Sequence, residues 1–511
     1  MLHAGYAAAL IAAIVAQAVV CASPRLASVF GDNMVIQRDR PAPVCGWADP
    51  GEPIEVTIAG KSARGVTGAD GRWRATLPPI PAGGPFDLDV RGKTNLTLHN
   101  VLVGEVWLCA GQSNMGFGLN NCLNAAREEA SANYPALRVF GVKEQFAQTP
   151  LDDVTGHWSI CTPSTAGSYS AVSYYFGRDL TRALGVPVGL IVSAIGGTRA
   201  ETWTARGDLA ADPAYADQLA AWKDVSHDRF VQIGIDYRAF QNYRDHIWPQ
   251  LEKEAKDKGL PASERPVQPK LRLHDCPSAA FDGMIAPLLG LAIRGVVWYQ
   301  GEDNVARADQ YASLFPTLIR QWRRDWAEGD FPFAFVQLSN FGASPPQPAE
   351  SKWARLRECQ RKALALPNTG MAVSIDVGDA NNIHYPNKEP AGDRLARWAL
   401  AKVYGRPDSA PSGPLETSVK RDADSIVVHF ANAGSGLIAR GGDLKYFAVC
   451  GSDGKYVWAN ATIEGETVRV RAAGIPEPVS VRYAWADDPS GANLFNSDGL
   501  PASPFEDSVG R

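Results

Sequence analysis

Glu105-Val-Trp-Leu-Cys-Ala-Gly-Gln-Ser-Asn-Met115 is an apolar run that breaks at Gly111 into small polar residues. Read as a strand followed by a tight turn, it carries Ser113 to the rim of a cleft. A serine hydroxyl is a weak nucleophile until a base takes its proton, so a partner histidine is expected elsewhere in the chain. Working outward, Val188-Gly-Leu-Ile-Val-Ser193, Gly295-Val-Val-Trp-Tyr299 and Phe331-Pro-Phe-Ala-Phe-Val336 are short, continuously apolar runs with helical stretches between them. Strands buried on both faces read this way. The pattern predicts a parallel sheet in a three-layer α/β domain over about residues 104–405.

The flanks follow another rule. Over residues 23–103, runs such as Pro53-Ile-Glu-Val-Thr-Ile58 and Trp73-Arg-Ala-Thr-Leu77 alternate apolar with polar and are divided by Gly, Pro and Asp. That period of two predicts a small antiparallel β-sandwich. The same regime returns over residues 409–511 with Asp424-Ser-Ile-Val-Val-His-Phe430, Thr467-Val-Arg-Val-Arg471 and Val479-Ser-Val-Arg-Tyr-Ala484. Residues 206–270, rich in charge and helix formers, read as a helical insertion in the α/β domain. Its aromatic positions (Tyr237, Phe240, Tyr243, Trp248) fall near helical spacing and are assigned to packing.

Ala7 to Val20 is a largely apolar run of 14 residues, followed by Val20-Cys21-Ala22. It is too short for a membrane span and suits a signal peptide over residues 1–22, with Ala22 the last residue removed. Bulky Val20 speaks against lipid attachment at Cys21. The mature chain is therefore expected to be exported, periplasmic or secreted, with no stable membrane association. Seven cysteines would remain, an odd number at wide spacing without metal-ligand pairs, and they read as buried small residues with room for one bridge. With 50 basic and 55 acidic side chains, a net charge of -5 and neither a basic stripe nor a phosphate loop, the chain offers nothing for nucleic acid.

Among the histidines, His384 stands apart. It lies in Asp376-Val-Gly-Asp-Ala-Asn-Asn-Ile-His-Tyr-Pro386, after the strand-like Met371–Ile375 and before an amphipathic stretch, Pro390–Tyr404. Loops at the C-terminal ends of strands are where open α/β sheets bind ligands. Two more loops are expected at that edge. Ser193-Ala-Ile-Gly-Gly-Thr198 offers backbone N–H groups at Gly196 and Gly197 that a ligand can approach closely. Trp298-Tyr-Gln-Gly-Glu-Asp-Asn304 offers the amides of Gln300 and Asn304 with Glu302 between them.

Gly-Gln-Ser-Asn-Met, Gly-Gly-Thr-x-x-Glu-x-Trp, Trp-Tyr-Gln-Gly-Glu-x-Asn and Asn-Ile-His-x-Pro-x-Lys, in this order, resemble the sialate O-acetylesterase family of the SGNH-hydrolase superfamily. Phe30-Gly-Asp-Asn-Met-Val-Ile-Gln-Arg38, Val481-Arg-Tyr-Ala-Trp-Ala486 and Gly499-Leu-Pro-Ala-Ser-Pro504 extend the resemblance over nearly the whole mature chain. It implies a flavodoxin-like hydrolase domain between small β domains and a serine esterase that removes O-acetyl groups from sialic acid. Acetylated hemicellulose is the alternative substrate, and an inactive glycan-binding protein the alternative class. No metal or organic cofactor is implied; the partner is an acetylated sugar or oligosaccharide. Carried over, Ser113 is the nucleophile and its own N–H an oxyanion donor. Gly196 or Gly197 supplies a second donor, and Gln300 or Asn304 a third. His384 is the general base. Many superfamily members carry Asp three residues before the histidine, where this chain has Asn381. The orienter of His384 is thus left among Glu302 (favoured), Asp379 (weaker), Asp376 and Asn381.

Overall fold

The computed structural model describes residues 24–261 and 266–510. The expected signal segment, with Cys21, lies outside them. Six parallel strands make the central sheet: β1 (Asn95–Gly111), β2 (Tyr134–Gly141), β3 (Val188–Ala194), β4 (Gly295–Tyr299), β5 (Phe333–Val336) and β6 (Thr369–Ala372), in the order β2-β3-β1-β4-β5-β6. Without outer β2, the remaining strands have the 2-1-3-4-5 order of flavodoxin-like sheets. Trp158–Cys161 adds an antiparallel edge beside β2.

Continuous apolar sequence does what it predicts: β4 and β5 are buried along their whole length. Strand alternation then makes the three layers. Trp107 of β1 pairs with Gly295 and Ala110 with Trp298, so Trp107 and Trp298 sit three positions apart and point to opposite faces. Trp107 packs edge-on against Phe176 of the helix Ala171–Leu184, while Trp298 packs against Phe315 and Trp322 of the helix Ala308–Trp326. Truncating a tryptophan buried like these typically costs about 3–5 kcal/mol.

The N-terminal strands alternate as read: Ala42–Trp47, Pro53–Ile58 and Arg72–Leu77 bury every second residue. They form two sheets, and the second shares a strand with the central domain. The first half of β1 pairs antiparallel with Gly83–Arg91, and its second half runs between β3 and β4. The division expected near residue 103 thus falls inside one strand of 17 residues. Where the two regions join, Glu105 accepts from Arg38 Nε at 2.5 Å, Arg294 Nε at 2.7 Å and Gln37 Nε2 at 3.2 Å.

The insertion is helical: His227–Asn242 and Trp248–Asp257 flank a π-helical segment, Tyr243–Ile247. The C-terminal region holds two four-stranded antiparallel sheets. Buried Arg357 fastens it to the central domain, donating to Leu338 O, Ser339 O, Ala486 O and Asp487 O. All seven described cysteines are free, five of them buried. Among the described residues no helix is long and apolar enough to cross a membrane.

Candidate active site

Three loops leave the sheet at one level, because Gly111 pairs with Ala194 on one side and Tyr299 on the other. Gly111 has no substitute here: a Cβ would stand 2.1 Å from Tyr299 O, and its φ is +147°. Gln112 N donates to Tyr299 O at 3.0 Å, and the chain then turns into the four-residue helix Ser113–Gly116. Ser113 is its first residue. Gly196 crosses above it, where a Cβ would lie 3.4 Å from Ser113 Cβ.

His384 arrives from the fourth loop, after β6. Its Nε2 lies 2.9 Å from Ser113 Oγ, across 271 residues of chain. Burial, and then the charge of Lys388, hold the imidazole pKa below its ordinary 6.5, so the ring is neutral at neutral pH and free to accept a proton. The backbone N–H groups of Ser113, Gly196 and Gly197 donate to no acceptor among the described residues. They remain open to an anion forming above Ser113. Serine, histidine and both glycines line one cleft of about 810 Å³.

The candidates for orienting His384 are employed elsewhere. Glu302 Oε1 accepts from Asn114 Nδ2 at 2.5 Å. The 3₁₀ turn Glu302–Arg307 carries this carboxylate beneath the serine turn, not to the histidine ring. Asp379 Oδ1 accepts from Asn381 N at 2.8 Å and braces its own loop, with Asn381 exposed. Asp376 binds Arg394 through both oxygens at 2.7 Å. Among the described residues none of the four makes a hydrogen bond or ion pair with His384. The histidine loop is held through its backbone instead: His384 N donates to Asn382 Oδ1 at 2.9 Å, and Ile383 O accepts from Asn114 Nδ2 at 3.1 Å.

Gln300 and Asn304 also differ from expectation. Both are buried and turned into the protein, where they satisfy groups of the Gly197 loop. Gln300 Nε2 donates to Thr198 O at 3.1 Å and to Asn304 Oδ1 at 2.8 Å, so both its protons are used. Asn304 Oδ1 accepts from Ala200 N at 3.0 Å, and its Nδ2 donates to Glu201 Oε2 at 2.9 Å. Buried backbone groups must be paired, and these amides pair them. Glu302 and Asp303, between the two amides, are the residues of this loop that line the cleft.

One buried residue was given no role by the sequence reading. Lys388 is fully buried, and its Nζ donates to Asn114 Oδ1 at 2.5 Å, 3.4 Å from the centre of the Tyr385 ring. Burial pushes its pKa down to about 7, although Glu302 favours the charged form. Asn114 therefore joins Lys388, Glu302 and the histidine loop directly beneath Ser113. The signal was present: a lysine two residues past Pro386, closing the motif that holds His384. Among the described residues no group of three or more His, Cys, Asp or Glu side chains is placed to hold a metal ion.

A family described as carbohydrate esterase, sialic acid-specific acetylesterase matches residues 103–256 and 280–401. Sialate O-acetylesterase of Rattus norvegicus is 31% identical over 534 residues, covering 94% of each chain. That of Mus musculus is 30% identical over 530 residues, again 94% of each. The crystal structure of a carbohydrate acetylesterase from Xanthomonas citri superposes with a TM-score of 0.80 at 35% identity, covering 95% of this chain and 100% of that one. With the family pattern spanning the sheet and its loops, and relatives aligned over nearly their full lengths, this chain belongs to the sialic acid-specific acetylesterase family of carbohydrate acetylesterases.

Proposed function

We propose that the protein is a sialate O-acetylesterase working through Ser113 and His384. The observation that carries the reading is the 2.9 Å contact between Ser113 Oγ and His384 Nε2 beneath the open N–H groups of Ser113, Gly196 and Gly197. Ser113 Oγ bonds to the acetyl carbon while His384 Nε2 takes the hydroxyl proton. The oxyanion sits among the three N–H groups, where one donor is typically worth about 10²–10³ in turnover. The bond to the sugar oxygen then breaks, and that oxygen leaves with the proton from His384. Water attacks the acetyl-enzyme, gives a proton to His384 and releases acetate, and the proton returns to Ser113. His384 works without a carboxylate on its ring, held by Asn382 and by the Asn114 contact to Ile383 O.

The sialate substrate is supported by the family description and by the relatives named for that activity. Arg238 stands exposed on the cleft wall, where a sugar carboxylate would meet it. Export is supported by the apolar run Ala7–Val20 and predicts a mature N-terminus at Ser23. Acetate release should be measured on O-acetylated sialic acid, acetylated xylo-oligosaccharides and an aryl acetate. Preference for the first supports the proposal, and preference for the second replaces sialate with hemicellulose. Ser113→Ala should lower turnover about 10⁴- to 10⁶-fold. A phosphonate that leaves Ser113 unlabelled would reduce the protein to a glycan-binding module.

A further inference from the structure

Two side chains that the chemistry above does not use converge on Gly197. Its φ is +71°, and a Cβ there would lie 3.6 Å from Asp303 Oδ2 and 3.9 Å from His274 Cδ2. Gly196, the neighbouring residue, is the one that crosses Ser113, and consecutive Cα atoms are about 3.8 Å apart. The Asp303–His274 pair therefore stands within one residue of the position an ester would occupy. Both line the cleft.

Each is held from behind. Asp303 Oδ1 accepts from Arg272 Nη2 at 3.3 Å, and Arg272 is fixed by two bonds of 2.6 Å to Asp275. Asp303 Oδ2 receives no donor among the described residues. Arg199 pairs with Asp275 at 3.0 Å, so two guanidinium groups balance two carboxylates here. The His274 ring lies between Tyr237 and Phe146, with ring centres at 4.5 and 5.1 Å. Its backbone oxygen accepts from Thr202 Oγ1 at 2.8 Å. The residue is 7% exposed, and its Nδ1 is buried without a partner among the described residues. The Cδ2 edge faces Gly197, which leaves the adjoining Nε2 as the ring nitrogen on the cleft side. Burial, then Arg272, push the imidazole pKa down to about 4, so it is neutral. A charge-balanced carboxylate, a neutral imidazole and aromatic walls suit the hydroxyl groups of a ligand better than a charged group.

We propose that Asp303 and His274 form a hydroxyl-binding subsite for the sugar. Asp303 Oδ2 accepts the proton of one hydroxyl and His274 Nε2 pairs with a second. The enzyme thereby selects acetyl esters whose neighbouring carbons carry free hydroxyls. This rests on the reading of the substrate as a sugar ester and gives that reading its specificity element.

The test compares kcat/KM for a sugar acetate with that for 4-nitrophenyl acetate, which has no neighbouring hydroxyl. Asp303→Asn should lower the sugar-to-aryl ratio about 10- to 100-fold, the range for a lost hydrogen bond to a charged group. His274→Phe should lower it about 2- to 12-fold, as befits a neutral partner. Aryl acetate turnover reports whether each variant has folded. The deacetylated sugar should also inhibit aryl acetate hydrolysis competitively, with a Ki that rises in Asp303→Asn. Equal losses on both substrates, or an unchanged ratio, overturn the subsite. If the native protein releases acetate from no sugar, the substrate reading falls. The subsite then stands only if sugar inhibition is present and weakened by Asp303→Asn, and it falls with that reading if no sugar inhibits.

Discussion

Two carboxylates mark opposite ends of the half of β1 that lies in the central sheet, and their surroundings are opposed. Glu105, at the junction with the N-terminal sheets, is surrounded by donors from Arg38, Arg294 and Gln37. Burial pushes its carboxyl pKa up, but the arginines outweigh burial and hold it below the ordinary 4.5. Glu302, beneath the serine turn, receives one amide proton from Asn114, and its Oε2 is buried without a partner. Burial outweighs Asn114 and the more distant Lys388, and the carboxyl is raised. The first end spends its charges on joining two regions. The second leaves a carboxylate and an ammonium underpaired at the place where a reaction needs polar groups, which is where perturbed groups collect.

The largest effect that separates the two ends is on stability. Glu105→Ala leaves Arg294 without a carboxylate and Arg38 with Asp39 alone, and should destabilise the fold by about 3 kcal/mol, the low end for a broken buried pair because both arginines reach solvent. The folded fraction should keep its kcat/KM. Urea unfolding with an esterase assay reads both, and a matching loss of kcat/KM would end the division of labour. Glu302→Gln should do the reverse: turnover falls about 5- to 10-fold, while the fold is as stable or more stable at neutral pH.

The pH dependence sharpens the contrast. Glu105 has a folded pKa below its unfolded value, so its contribution is present above 4.5 and lost as pH falls through the folded pKa. Glu302 is raised, so its contribution is present below 4.5 and lost as pH rises through its folded pKa. Unfolding free energies across the carboxylate range should therefore rise less steeply with pH in Glu105→Gln and more steeply in Glu302→Gln than in the native protein. Slopes moving the same way would contradict the assignment of opposite environments.

What could be read from sequence divides along the same line. The parallel strands, the alternating flanks and the helical insertion follow from period and burial, which are local. Ser113, the Gly196–Gly197 loop and His384 follow from motif order, because loops at strand ends meet at one edge of such a sheet. The partners of Glu302, Gln300 and Asn304 were not legible. All three sit on a cleft loop, yet a loop has two sides, and only packing decides that Glu302 lines the cleft while Gln300 and Asn304 do not. Gln300 and Asn304 turned inward to satisfy Thr198 O and Ala200 N. Lys388 was hidden for another reason: a lysine is normally at the surface, so its place in the His384 motif pointed to the site without announcing burial.

Lys388 also supplies the smallest effect and the finest test. Its charge is the second cause, after burial, that keeps the His384 pKa below 6.5. In the proposed mechanism His384 must be neutral to accept the Ser113 proton, so the acid limb of kcat/KM against pH should follow this ring and lie below the ordinary histidine value. Lys388→Met removes the charge. The His384 pKa should rise toward 6.5, and the acid limb should move to higher pH by less than about one unit, since burial is the larger cause. Lys388 itself titrates at about 7, so above neutrality it loses the charge that the variant lacks. The native-to-variant ratio of kcat/KM should therefore be greatest on the acid side and shrink through pH 7. It should settle at whatever constant factor the lost bond to Asn114 imposes. The arginines around Glu105 do not titrate in this range, so substitutions at that end should give ratios flat with pH. A flat ratio for Lys388→Met would place Lys388 with them, as a strut for Asn114 with no influence on the base.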